Sequence, residues 1–176
     1  MSDLGTLQVK IALNEGSFQQ GISNLKQQLA VADSSFKASM NGSKDWGKSL
    51  DVLKSYADSL GQKIKAQSGI VDMYSKALEK SQTNLKNSSQ KMAELKTKLD
   101  EAKVAFNEQS GSLNKSSSEY KTLKDNVDKA QKAYDQQEKA VLRNNKSMQG
   151  YQIQLNNSKA KLNELTGELK KTNESI

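Results

Sequence analysis

The chain contains no cysteine, no histidine and no proline, and each absence removes a class of structure or chemistry. Without cysteine there is no disulfide framework and no thiol nucleophile. Without histidine the commonest acid, base and metal ligand is missing, so Cys-His and Ser-His-Asp catalysis are excluded. Without proline nothing imposes the roughly 3 kcal/mol that an internal proline costs a helix. Aromatics are few, with three Phe, five Tyr and one Trp, and only 34% of the 176 residues are hydrophobic. Globular domains carry close to half, so little is present from which to build a compact core.

Long apolar runs are also lacking. No stretch approaches the roughly 20 apolar residues that span a bilayer, and the start Met1-Ser2-Asp3-Leu4-Gly5 has no basic region followed by an apolar one. The expectation is a soluble product of the cytoplasm with no membrane contact in this segment. No glycine-rich phosphate loop exists, since Gly42, Gly47 and Gly61 lack the required spacing. Paired carboxylates such as Asp100-Glu101 fall on exposed helical positions and read as solvated rather than catalytic. No enzyme activity, cofactor or metal site is predicted.

A net charge of +7 raises the possibility of nucleic-acid binding, which needs basic residues gathered on one face, ideally with aromatics. Here lysines recur singly beside acids, as in Lys96-Thr97-Lys98-Leu99-Asp100-Glu101 and Lys124-Asp125-Asn126-Val127-Asp128-Lys129, the pattern of a solvated helix face. No specific nucleic acid is expected.

What the chain does have is one hydrophobic row with alternating three- and four-residue steps. It runs through Trp46, Leu50, Leu53, Ala57, Leu60, Ile64, Val71, Tyr74, Leu78, Leu85, Met92, Leu95, Leu99, Ala102 and Phe106. It resumes in the same phase at Leu113, Tyr120, Leu123, Val127, Ala130, Tyr134, Val141, Met148, Tyr151, Leu155, Leu162, Leu165 and Leu169. A period of 3.5 predicts helices wound left-handedly around one another. The fold class expected is therefore all-α, built of long coiled-coil helices.

The two seam positions differ. With Leu50 as an a position, every a through Leu169 is apolar, whereas the d row is interrupted by Gln67, Ser81, Ser88, Gln109, Ser116, Gln137, Asn144 and Ser158. Polar layers lower stability and fix register or strand number. The predicted coil is long, weak per turn, and self-associating as a dimer or trimer. The single Trp46 and the seam tyrosines read as packing positions rather than recognition residues.

Before the long row, Leu7, Val9, Ile11 and Leu13 alternate with Gln8, Lys10 and Ala12, a strand period, and Asn14-Glu15-Gly16 supplies turn chemistry. A lone strand needs a partner, so this one either pairs with another chain or is a disordered start. From Ser17, a candidate cap, the row Phe18, Ile22, Leu25, Leu29, Ala32, Phe36 and Met40 marks one helical face. Asn41-Gly42-Ser43 reads as its stop, with Ser43 or Asp45 opening the next helix. Residues 107–118 are rich in Ser, Asn and Gly, and Ser116-x-x-Glu119 matches a capping box.

Two architectures remain open. In one, the helix passes through this weak point and about 125 residues make a rod of roughly 190 Å. In the other, the chain turns near Gly111 and the two arms form an antiparallel hairpin. Gly111 and Gly150 are candidate hinges. The divisions expected are a strand and turn over 1–16, a helix over 17–42, arms over 43–108 and 119–176, and a loop or weak point over 109–118.

Leu7-Gln8-Val9-Lys10-Ile11-Ala12-Leu13, the spaced Phe18, Ile22, Leu25 and Leu29, and Phe36-Lys37-Ala38-Ser39 resemble the amino-terminal start of tail tape measure proteins of long-tailed bacteriophages and prophages. The continuation Trp46-Gly47-Lys48-Ser49-Leu50, with Leu53, Leu60, Lys63-Ile64 and Gln67, is similar as well. The match is one of pattern over roughly the first 70 residues. The resemblance implies an extended helical scaffold lying inside the tail tube of the virion. Its partners would be the tube protein and tail assembly chaperones, and its length would set the tail length. It also implies that the chain is the amino-terminal part of a longer tape, whose apolar, membrane-active segments are not among these residues. The alternative is a bacterial coiled-coil spacer or adaptor that links partners.

Overall fold

The computed structural model describes residues 15–40 and 49–176, and in them the chain is all-α. Three helices follow one another: α1 (Glu15–Met40), α2 (Leu50–Ser110) and α3 (Ser118–Glu174). There is no strand among the described residues. The alternating segment over 6–13, the stop at Asn41-Gly42-Ser43, Asp45 and Trp46 lie outside them. The helix read from Ser17 already includes Glu15 and Gly16, so Ser17 sits inside the first turn of α1.

The described residues form two compact units, one from those within Met1–Leu78 together with Tyr151–Ile176, the other Glu79–Gly150. In the first, α1 lies antiparallel to the start of α2: Phe18 stacks edge-on against Tyr74, while Phe36 reaches Tyr56. The end of α3 runs antiparallel to the same stretch of α2. Gln67 Nε2 donates to the Ser158 carbonyl at 3.0 Å, and the Tyr56 hydroxyl donates to Glu168 Oε2 at 3.4 Å. Three helices can enclose side chains that two cannot. Leu60 is fully buried, and Ile22, Ala32, Leu78, Leu155 and Leu165 nearly so.

The α1 face predicted from its period is the one turned inward. Ile22 and Ala32 are buried and Phe18, Leu25, Leu29, Phe36 and Met40 half-buried, with exposed residues between them. It covers a second row on α2, offset from the a/d row but with the same three-four spacing: Ser59, Lys63, Ala66, Ile70, Met73 and Ala77. Ser59 Oγ donates to the Ala32 carbonyl at 3.0 Å, and Lys63 pairs with Asp33. Ala66, Ile70 and Ala77 are buried.

Small residues let the two backbones approach. A β-carbon added at Gly69 would stand 3.0 Å from the Leu25 side chain, and one at Gly21 would stand 2.6 Å from the end of Met73. At Gly61 the same carbon would meet open space.

In the second unit, α2 and α3 form an antiparallel hairpin whose turn occupies residues 111–117. The turn is held by its own polar side chains. Ser112 donates through N–H and Oγ to the Gln109 carbonyl, at 3.3 and 3.0 Å. Asn114 Oδ1 accepts from Ser116 N–H and Oγ at 3.0 and 2.8 Å. The cap of α3 is Ser117, whose Oγ accepts the Tyr120 N–H at 3.1 Å. The cap expected at Ser116 is thus displaced by one residue, because Asn114 engages Ser116 first, and no capping box forms, since the residue three beyond Ser117 is Tyr120 rather than Glu119.

The helix interface makes a prediction about glycines. Gly61→Ala should stabilise the chain by about 0.5–1 kcal/mol, the ordinary helical advantage of alanine. Gly69→Ala should gain nothing or lose stability, because Leu25 must move. Thermal unfolding of the two variants checks this, and equal gains at both sites would show that the α1–α2 contact is not tight.

Candidate functional site

The feature with most functional content is the face along which α2 and α3 meet, and specifically its polar layers. Four of the polar residues there, Gln67, Ser81, Ser88 and Ser158, are buried, and Gln137 and Asn144 are half-buried. All of them except Ser81 take part in hydrogen bonds across the interface. In the first unit, Gln67 reaches the Ser158 carbonyl. In the second, Gln137 Nε2 donates to the Ser88 carbonyl at 2.9 Å and Asn144 Nδ2 donates to Ser88 Oγ at 2.7 Å. No buried side-chain nitrogen or oxygen among the described residues is left without a partner, which is the condition for tolerating polar layers in a helix interface. Gln109 is exposed at the end of α2 and Ser116 is exposed within the turn.

The apolar seam positions follow the same division. Leu60, Leu78, Leu99, Leu155 and Leu165 are buried. Leu53, Ile64, Val71, Leu85, Met92, Leu95, Phe106, Tyr120, Leu123, Val127, Tyr134, Val141, Met148, Leu162 and Leu169 are half-buried, as is Leu113 within the turn. Leu50 is 46% exposed. The register set by the Gln67–Ser158 and Tyr56–Glu168 pairs places it opposite the extreme end of α3, where there is little to cover it.

Five further buried positions were not read from sequence: Thr172 on the α2–α3 face, and Ser59, Ala66, Ile70 and Ala77 on the row of α2 that faces α1. Thr172 continues the d row and is buried, its Oγ1 donating to the Glu168 carbonyl. Ala66 and Ile70 face α1, a contact whose only sequence signal is the second three-four spacing on α2.

Aromatic rings pin both units. Phe18 stands between Tyr74 and Tyr151, with centroids 5.6 Å from each and rings close to perpendicular, the edge-to-face arrangement that aromatic quadrupoles favour. Phe106 and Tyr120 stack at 5.4 Å across the base of the turn. Burial raises the Tyr56 hydroxyl above its ordinary pKa, and the neighbouring Glu168 carboxylate adds to the rise by resisting a second negative charge.

Charges elsewhere are local. Lys91–Glu94, Lys96–Asp100, Asp125–Lys129 and Lys161–Glu164 pair within single helices on exposed surfaces and contribute little each. Among the described residues no cluster of acidic side chains could hold a metal, and no helix is long and apolar enough to cross a membrane. A groove in the first unit between α1 and α2 is open and lined by Asn24, Gln27, Gln28, Val31, Gln62 and Lys65. It offers no converging reactive groups.

No family model, curated protein or solved structure matches this chain. Its functional reading therefore rests on the seam itself.

Two measurements probe that seam. A double-mutant cycle combining Ser88→Ala with Asn144→Ala should give a coupling of about 1 kcal/mol, the net value of a partly buried hydrogen bond; additive losses would show that the layer is not bonded in solution. Stability should also respond to alkaline pH. Tyr56 stays neutral in the folded chain at pH values where the unfolded tyrosine ionises, so its stabilisation is complete below about pH 10 and disappears as pH rises through the higher folded value. Tyr56→Phe should blunt the alkaline fall in melting temperature, and an unchanged fall would place the cause elsewhere.

Proposed function

We propose that this chain is a non-enzymatic structural protein, the amino-terminal part of a tail tape measure protein of a long-tailed phage or prophage. It serves as a helical scaffold whose length sets the length of the tail. The paired helices wind as a coiled coil, self-associate, and lie within the tail tube of the virion in contact with the tube protein, after assembly with tail chaperones in the host. The single observation supporting this most strongly is that the apolar a row keeps one phase from Leu50 to Leu169 although the chain turns at residues 111–117. A hairpin has no need of a common phase in its two arms, since the loop could have any length. An extended helix needs it.

The chemistry of the layers suits the same role. Helical rise is fixed at 1.5 Å per residue, so a helix measures distance. Polar layers bonded by one or two hydrogen bonds hold register, yet separate more readily than a continuous leucine seam. The net charge of +7 would complement an acidic tube lumen.

Removing four whole heptads, residues 121–148, from the protein in an assembling phage should shorten the tail by about 42 Å without preventing tube formation. Electron microscopy of tails checks this. Tails of unchanged length would rule out the ruler function, and assembly of the protein into a cellular complex with no particle would favour the spacer or adaptor.

A further inference from the structure

We propose that the hairpin of residues 79–150 opens at its turn and exchanges arms with a second copy of the chain, giving an antiparallel dimer in which α2 and α3 are one continuous helix. The inference does not depend on the tape reading.

Three observations in this unit lead to it. First, the turn between Ser110 and Ser118 occupies seven residues, the length of one heptad, and its own residues keep the pattern, with Leu113 at a and Ser116 at d. An unconstrained loop would reproduce the frame in about one case in seven. Second, the Phe106–Tyr120 and Ser88–Gln137 contacts are centred on Leu113 or immediately beside it, with Asn144 reaching Ser88 from the adjoining layer. Phe106 lies one heptad before it and Tyr120 one heptad after, and they stack on each other. A straight helix meeting its own copy across a two-fold axis at Leu113 would therefore remake the Phe106–Tyr120, Ser88–Gln137 and Ser88–Asn144 contacts between copies. Third, the hairpin wastes seam residues that the exchanged form would use. Gln109 at the end of α2 and Ser116 in the turn are exposed, and Leu113 is only half-buried. Across the axis Leu113 would meet its own copy, and Gln109 would meet Ser116.

The turn itself sets the balance. It is closed by the Asn114 and Ser117 side-chain bonds described above, which are lost when its residues become helical, whereas the Ser112 Oγ bond to the Gln109 carbonyl is of a kind that helices keep. A hairpin also meets its partner arm at an effective concentration of millimolar order. Dilute chain is therefore hairpin, and exchange is driven by concentration, as in other hinge-loop swaps. Gly111 does not hold the turn by conformation: a β-carbon there meets nothing within 4 Å. Alanine at this position keeps the hairpin intact while favouring the straight helix.

The test uses the full 176-residue chain, annealed by heating and slow cooling at concentrations up to about 1 mM, beside the Gly111→Ala/Ser112→Ala variant. Light scattering gives the dimerisation constant, and circular dichroism verifies helix content. Because the chain has no cysteine, Lys98→Cys and Lys115→Cys each place a single spin label. The expected dimer shows a label separation under about 30 Å at position 115, beside the axis, and about 45 Å at position 98, fifteen residues from the axis on each copy. The variant should dimerise at least about thirtyfold more tightly, since each helical propensity gain is counted once in each copy. Short distances at both positions would mean parallel pairing, and any other combination would mean hairpins associating side by side; either overturns the proposal. So does a variant that stays monomeric, with full helix content, at every concentration.

Discussion

Everything in this molecule depends on finding cover for a seam that is apolar on one side and half polar on the other. A single helix of this sequence would leave the a row in water and its d-row amides and hydroxyls without defined partners, and isolated helices gain little from propensity alone. The arm that satisfies one stretch must be antiparallel and in register, because Gln67 needs the Ser158 carbonyl, and Gln137 and Asn144 need Ser88. Each bond is modest in net value. A slip of one heptad would nevertheless bring polar layers against leucine and strand them, and that penalty, more than any attraction, is what fixes register.

The two units satisfy the seam to different degrees. Where α1 is present, α2 has a second covered row, and fully buried side chains such as Leu60 and Ala32 occur. Where only two helices meet, most seam residues remain half-exposed, and Leu99 is the one apolar side chain there that is buried. Local stability should follow that division, with the three-helix unit opening less readily than the hairpin. The aromatic contacts reinforce it: Phe18 joins rings from α2 and α3 in one cluster, so that a single α1 side chain binds all three helices.

Much of this was legible in the sequence, and for a definite reason. Period is a direct consequence of which side of a helix is covered, so the a row, the polar d layers and the face of α1 could be read before any contact was known. The turn near Gly111 was legible as a cluster of residues that compete with helix for backbone hydrogen bonds. What could not be read was the choice between turning and continuing, because the phase favoured one answer and the serine cluster the other. Nor could the destination of α1 be read. Its covered row on α2 mixes Ser59 and Lys63 with alanines and Met73, and only the close approach at Gly21 and Gly69 reveals why small and flexible residues stand there. The cap moved from Ser116 to Ser117 because two adjacent serines are equivalent until Asn114 takes one of them.

The conflict between phase and loop composition is itself informative. A sequence selected only as a hairpin would have no reason to keep Leu113, Gln109 and Ser116 on the frame of both arms, and one selected only as a straight helix would have no reason to place Gly111, Asn114 and three consecutive serines at its centre. Both features together describe a segment that is helical in one state and turned in another, with the seam satisfied in each. The hairpin supplies the partner arm from within the same chain and so needs no concentration. The straight form takes its partner from another chain and gains the central layers. In the proposed exchange, which state prevails is set by how closely copies are held together.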